Sequence, residues 1–221
     1  INKSELYKVL WDSCDELRGG MEPSEYKNYV LTLLCIKYIS DKYAGKQMQL
    51  VEVPKGASFE DMVALKGKPD IGDRINKEVI GPLFSANGLN IDIADADFND
   101  DSKLGSGKDK VETLSKLIAV FENPNLNFKD NRADDDDILG DAYEYLMRKF
   151  ASKSGKSKGE FYTPSEVSKI LSRVISVDKA DKPSFTAYDP TCGCGSLLLK
   201  VRDESQKGLT LYGQEKENRN A

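Results

Sequence analysis

Histidine is absent from all 221 residues, which removes the side chain most often used as a general base. Ser-His-Asp and Cys-His catalysis are therefore excluded within this chain. Cysteine is sparse and unevenly spaced, at positions 14, 35, 192 and 194. Cys192 and Cys194 flank a single glycine, unlike the Cys-x2-Cys knuckles of structural zinc sites, and no histidine exists to complete a ligand set. They read as reduced thiols, and no metal site is expected. Long apolar runs are missing too. The longest, Tyr29–Ile39, is interrupted by Lys37 and falls well short of the roughly 20 apolar residues a membrane helix needs. Ile1–Glu5 has no apolar signal core and no initiator methionine, so a cytoplasmic chain trimmed at its start is expected.

What is present describes an ordinary globular chain: 39% hydrophobic and 31% charged residues, enough to bury a core in one large domain or two small ones without staples. Charge is unevenly spread. Residues 1–150 carry 20 basic and 28 acidic side chains, whereas residues 151–221 carry 12 and 9. Phosphate binding usually leaves a strong basic footprint, so a nucleic-acid partner is not announced by global charge, and bound DNA would take much of its positive field from elsewhere.

Leu6, Leu10, Cys14 and Leu17 are spaced along one helical face, with Gly19-Gly20 as a stop signal. Pro23 starts a second helix through Tyr26, Tyr29, Val30, Leu33, Leu34, Lys37 and Tyr38, ending near Tyr43. Residues 44–70 read as a loop holding a brief helix around Phe59–Leu65. Ile71–Leu83 and Val111–Phe121 carry helical spacing, with a polar, acidic stretch between them. The Asp134–Asp137 run reads as the first turn of a helix, where carboxylates complement the dipole; four consecutive side chains do not converge on a metal. Ile138–Phe150 follows as an amphipathic helix. Ala151–Gly159, rich in Ser, Gly and Lys, reads as a linker. Lys149, Lys153, Lys156 and Lys158 there fit a DNA-backbone contact and a soluble linker equally well.

Beyond Glu160 the pattern changes. A helix is expected over Ser165–Val177, a strand over Phe185–Tyr188, a glycine-rich turn, a helix from Leu197 to about Glu204, and a second strand over Leu209–Gly213. Gly193-x-Gly195 between a strand and a helix lets a ligand approach the backbone and meet free amides. Glu215, 20 residues after Gly195 and just past the second strand, suits both hydroxyls of a ribose. Leu198 stands where a dinucleotide fingerprint has its third glycine, which favours a nucleoside without phosphates. Asp189 either orients the glycine loop, meets a cationic ligand group, or simply initiates a turn before Pro190.

These residues resemble a known family. Gly159–Pro164, Asp189–Ser196 and Tyr212–Glu215, in this order, look like the modification subunit of type I restriction-modification systems, an N6-adenine DNA methyltransferase; Leu10–Gly19, Glu25–Asp41 and Asp137–Leu146 are similar to its helical domain. The resemblance implies a helical N-terminal domain over residues 1–150. After it, residues 151–221 would begin a Rossmann-like α/β domain that binds S-adenosyl-L-methionine. It implies that Glu160, Phe161, Tyr162, Thr163, Pro164 and Ser165 line the cofactor, with an aromatic face beside the sulfonium or adenine. It further implies that Asp189, Gly193, Cys194, Gly195 and Ser196 form the turn around its methionine and ribose portions, and that Glu215 binds the ribose. Cys194 departs from the family, which commonly has a small hydroxylated residue there. The implied partners are DNA, a specificity subunit, a second modification subunit and a restriction subunit, in a bacterial or archaeal cytoplasm.

The family's Asn/Asp-Pro-Pro-aromatic tetrad, which holds the extruded base, is absent. Asn123-Pro124-Asn125 lacks the second proline and the aromatic, and reads as a turn. With only two strands besides, the chain reads as an N-terminal fragment of a longer subunit, inactive alone and without a catalytic residue of its own. A helical interaction module with a vestigial cofactor pocket is the alternative, and a nicotinamide-dependent oxidoreductase is disfavoured by Leu198.

Overall fold

The structure, a computed structural model, describes residues 3–16, 23–46, 51–89, 96–129, 141–142, 144–149, 163–182, 184–193, 195–205 and 208–216. Gly19-Gly20, Asp134–Asp137 and Ala151–Gly159 lie outside them. The chain divides into two compact units, Ile1–Leu146 and Met147–Ala221. No helix among the described residues is long and apolar enough to cross a membrane.

The first unit is helical. Helix α1 (Lys3–Glu16) buries Leu6, Leu10 and Cys14 completely, the i, i+4, i+8 face expected from their spacing. Helix α2 (Pro23–Tyr43) opens on its proline and buries Tyr29, Val30, Leu33, Leu34 and Ile36. Lys37 and Tyr38, on the same stripe, are only half-buried: the Lys37 ammonium reaches Asp41 at 2.7 Å and lies over the Phe59 ring, and Tyr38 meets Phe128 edge-on. A short helix, α3 (Phe59–Val63), is started by a reciprocal capping box between Ser58 and Asp61.

The helix expected over Ile71–Leu83 is present but not uniform. It runs as α4 (Ile71–Arg74), a π-helical stretch Ile75–Ile80, and α5 (Gly81–Ala86). Pro82 supplies the physical reason, because it has no N–H to give and its ring crowds the carbonyl four residues earlier, so the preceding turn widens. Gly81 N–H accordingly reaches back five residues to Asn76 O. The widened turn presents Asn76, whose amide donates to Asp97 at 2.7 Å and accepts from Phe98 N–H. The acidic stretch that follows contains α6 (Asp101–Leu104), capped by Asp100, and leads to α7 (Lys108–Phe121), which buries Leu114, Leu117, Ile118 and Phe121. Asn123-Pro124-Asn125 is indeed a turn: Asn123 Oδ1 accepts from Asn125 N–H, and the 3-10 segment Pro124–Leu126 tucks Leu126 into the core. Residues 144–149 are helical, with Leu146 and Met147 buried.

The second unit holds α8 (Ser165–Val174), β1 (Thr186–Asp189), α9 (Ser196–Asp203) and β2 (Thr210–Gly213). β1 and β2 pair in parallel, Thr186 opposite Thr210 and Asp189 opposite Gly213. α9 crosses between them and buries Leu198 and Val201. This is a strand-turn-helix-strand unit, with α8 packed on α9.

In the first unit, the Asp41 carboxylate is fully buried and bridges Lys37 Nζ and the Phe128 N–H, joining positions 87 residues apart. Asp41→Ala strands both partners and is expected to lower unfolding stability by about 3 kcal/mol, read from urea denaturation of the intact protein.

Candidate cofactor site

The site grows out of the ends of the two strands. Where β1 and β2 stop, their backbone pairing continues: Gln214 N–H donates to Asp189 O, and Gln214 O accepts from Cys192 N–H, both at 2.9 Å. The chain beyond β2 is thereby held against the turn beyond β1. Asp189 Oδ1 accepts from Thr191 N–H at 2.9 Å, so its carboxylate works as the turn initiator. Gly195 N–H then closes the turn onto Cys192 O at 2.8 Å.

Gly193 and Gly195 both have positive φ, 53° and 77°, the conformation for which glycine is the unstrained residue. Among the described residues a Cβ built on either would meet nothing within 4 Å, so the turn is open toward them. Gly195 is also the residue before α9, whose first amides have no intrahelical acceptor.

Glu215 reaches into this turn. Its Oε2 accepts from Gly193 N–H at 2.8 Å and its Oε1 from Lys216 N–H at 2.7 Å. Residues 22 positions apart in sequence, drawn from the two ends of a βαβ unit, thus meet at the carboxyl edge of the sheet, where ligands of open α/β sheets bind.

Of the residues singled out in the sequence, the structure brings together Asp189, Gly193, Gly195, Ser196 and Glu215. Thr163 and Pro164 stand at the start of α8, and Pro164 O accepts from Ser168 N–H at 3.0 Å and from Ser168 Oγ at 3.2 Å. Ser165 is the first residue of that helix. Glu160, Phe161, Tyr162 and Cys194 lie outside the described residues.

Three residues that the sequence did not mark as cofactor-binding belong to the same platform. Gln214 ties the two strand ends by its backbone and accepts the Tyr188 hydroxyl at 2.6 Å through its side chain. Cys192 carries two of the turn's backbone bonds. Gly213 lies directly above the Cys192 side chain. All three lie within the stretches Asp189–Ser196 and Tyr212–Glu215, but their roles are carried by backbone and by volume, which no side-chain pattern announces. Among the described residues no three Cys, Asp or Glu side chains converge to hold a metal ion. Of the other cysteines, Cys14 is buried and burial pushes the Cys35 thiol above its ordinary range.

A nucleoside fits this donor set: an open glycine turn for close approach, free helix amides, and a carboxylate that accepts from hydroxyls.

Comparison with known proteins gives the following. Residues 6–176 match the HsdM N-terminal domain family and residues 134–221 match the N-6 DNA Methylase family. The MpnII methylase subunit of a type I restriction enzyme from Mycoplasma pneumoniae is 28% identical, over 96% of this chain and 47% of its own length. The MjaVIII methylase subunit from Methanocaldococcus jannaschii is 31% identical, over 98% of this chain and 39% of its own. This chain thus spans less than half the length of either relative. Its fold is like that of the type I restriction-modification methyltransferase subunit from Streptococcus thermophilus, a crystal structure that superposes with a TM-score of 0.76 at 24% identity, over 99% of this chain and 54% of that one.

Asp189→Ala removes the side-chain acceptor that starts the turn. Hydrogen exchange at the Thr191 amide is expected to quicken by about fivefold, the equivalent of one net hydrogen bond of about 1 kcal/mol; unchanged exchange contradicts the turn-initiating role.

Proposed function

The chain belongs to the HsdM N-terminal domain family, and from that premise we propose that it forms part of a type I modification subunit that methylates adenine N6 in DNA, with S-adenosylmethionine as methyl donor. On this reading the β1-α9-β2 unit opens a Rossmann-like cofactor domain, and the helical residues 1–150 serve subunit and DNA contacts. The protein works with a specificity subunit, a second modification subunit and a restriction subunit.

One observation carries the choice of cofactor class. The Gly193 amide, which a phosphate would claim in a nucleotide-binding turn, is bound by the protein's own Glu215 carboxylate at 2.8 Å. An anion placed there meets a like charge, which is unfavourable at such separations. A ribose instead brings hydroxyl donors to the same carboxylate. The arrangement favours a nucleoside carrying no phosphate, as S-adenosylmethionine does, and disfavours NAD. Leu198 in place of a third glycine points the same way.

The bound cofactor supplies an electrophilic methyl on a sulfonium. The chain's own residues bind and orient: Asp189 starts the turn, Gly193 and Gly195 admit the ligand's backbone-facing edge, and Glu215 holds the ribose. The segment Glu160–Ser165 is assigned to the same cofactor, an aromatic face suiting a cation or an adenine. Thr163 and Pro164 of that segment stand at the start of α8. The base-holding tetrad is absent from these 221 residues, so the step at the adenine amine is assigned to other parts of the subunit.

Calorimetric titration of the intact protein tests this. S-adenosylmethionine is expected to bind saturably and NAD not at all at millimolar levels. Glu215→Ala is expected to weaken S-adenosylmethionine by about 1 to 3 kcal/mol, the loss of an acceptor for buried hydroxyls. Undetectable binding of S-adenosylmethionine by the unaltered protein defeats the reading, and unchanged affinity in the variant defeats the ribose role of Glu215.

A further inference from the structure

Gly213 does not adopt a positive φ, so its backbone conformation is open to any residue. Space is what forbids a side chain there. A Cβ at 213 would stand 2.8 Å from Cys192 Sγ, 3.2 Å from Cys192 Cβ and 3.2 Å from Leu198 Cδ1. Leu198 Cδ1 ends a flexible side chain and can turn aside. Cys192 has less freedom: rotation about χ1 moves Sγ but leaves Cβ in place. Its backbone is pinned on both sides, by Cys192 N–H to Gln214 O and by Gly195 N–H to Cys192 O. Turning Sγ aside lifts the 2.8 Å contact at the loss of its seat beside Gly193 O, and the 3.2 Å contact with Cβ that remains asks the turn to shift relative to the end of β2.

That shift bears directly on the site. Gly213 precedes Glu215 by two residues, and Cys192 precedes Gly193 by one. The closeness of Cys192 to Gly213 sets the separation between the two backbones from which the Glu215 carboxylate and the Gly193 amide meet at 2.8 Å. The thiol also lies 3.8 Å from Gly193 O, so its volume fills the floor directly beneath the glycine turn.

We infer that Cys192 is a positioning residue for the cofactor: its side chain, seated against the bare Cα of Gly213, fixes the distance between the glycine turn and Glu215. This rests on the cofactor reading given above. Cys192 touches no ligand in this role and acts through the spacing of the residues that do.

The test is a double-mutant cycle on the intact protein, with S-adenosylmethionine binding followed by calorimetry and amide hydrogen exchange followed in parallel. Gly213→Ala is expected to weaken binding by about tenfold or more, the scale of an overpacked site. Cys192→Ala alone is expected to weaken it by about threefold, because the floor is lost. In the Gly213→Ala background the same Cys192→Ala change is expected to strengthen binding, since it removes the severe 2.8 Å contact with Sγ and leaves only the milder 3.2 Å contact with Cβ. This reversal of sign separates positioning from general destabilisation, which would make the double variant worse than either single one. Exchange at the Cys192 and Gln214 amides should quicken in Gly213→Ala and slow again in the double variant. A Gly213→Ala protein that binds like the wild type, or a double variant no better than Gly213→Ala, overturns the inference while leaving the cofactor reading intact. Absence of S-adenosylmethionine binding in the wild type overturns the cofactor reading and the positioning role with it, and the exchange pattern then still decides whether the two residues pack as described.

Discussion

The two backbone hydrogen bonds of Gln214, one to Asp189 and one from Cys192, are the constraint on which the rest of the site depends. They carry the parallel ladder one step past the ends of β1 and β2. The polypeptide leaving each strand is therefore held beside the other instead of diverging toward α9 and toward Lys216. Every feature of functional interest follows from that closeness. The glycine turn can be reached by Glu215, the Cys192 side chain can floor it, and α9 begins at the same edge. A parallel pair needs a crossover to connect its strands, and here the crossover helix starts where the ladder ends, so its free amides share the edge with the carboxylate.

The two units solve the burial problem differently. Ile1–Leu146 has a core of fully buried side chains, among them Tyr29, Phe98, Phe121 and Phe128, and its buried polar groups include Asp41, paired with Lys37, and Ser40, which accepts from Phe59 N–H. Tyr29 joins α2 to the loop before α6 both by its edge-to-face contact with Phe98 and by its hydroxyl bond to Asp97 O. Lys110 anchors the same loop from the other side, donating to Asn99 and Asp101. In Met147–Ala221 the arrangement is more open. Ser168 and Ser172 are fully buried, while Ile170 and Val174 on the same helix are 62% and 73% exposed. Tyr188 and Tyr212, paired across the sheet, are also exposed.

Much of this was legible in the sequence, because the patterns involved are local. The bounds of α2, opened by Pro23 and closed at Tyr43, follow from a start signal and one apolar stripe. The βαβ unit was legible from a short apolar run, two glycines and a second run. Glu215 could be named from its 20-residue distance to Gly195, since the length of a crossover helix fixes where the next strand ends. Other features were not legible, for physical reasons. The π-helical turn before Pro82 depends on where a lost hydrogen bond is absorbed, which periodicity does not record. The role of Gln214 is carried by its main chain, so no side-chain pattern announces it. Gly213 looks like any glycine at a strand end until the volume of Cys192 is set beside it. The inward face of α8 was hidden because helix amphipathicity points apolar residues to a core, and here two serines occupy the buried side.

The central claim is that Glu215 and the glycine turn form one nucleoside site. A crystal structure of the intact protein with S-adenosylhomocysteine bound tests it most directly. The account predicts both ribose hydroxyls within hydrogen-bonding distance of the Glu215 carboxylate, with the ligand lying over Gly193 and Gly195. A ligand bound elsewhere, with Glu215 still closed onto the Gly193 amide, contradicts it.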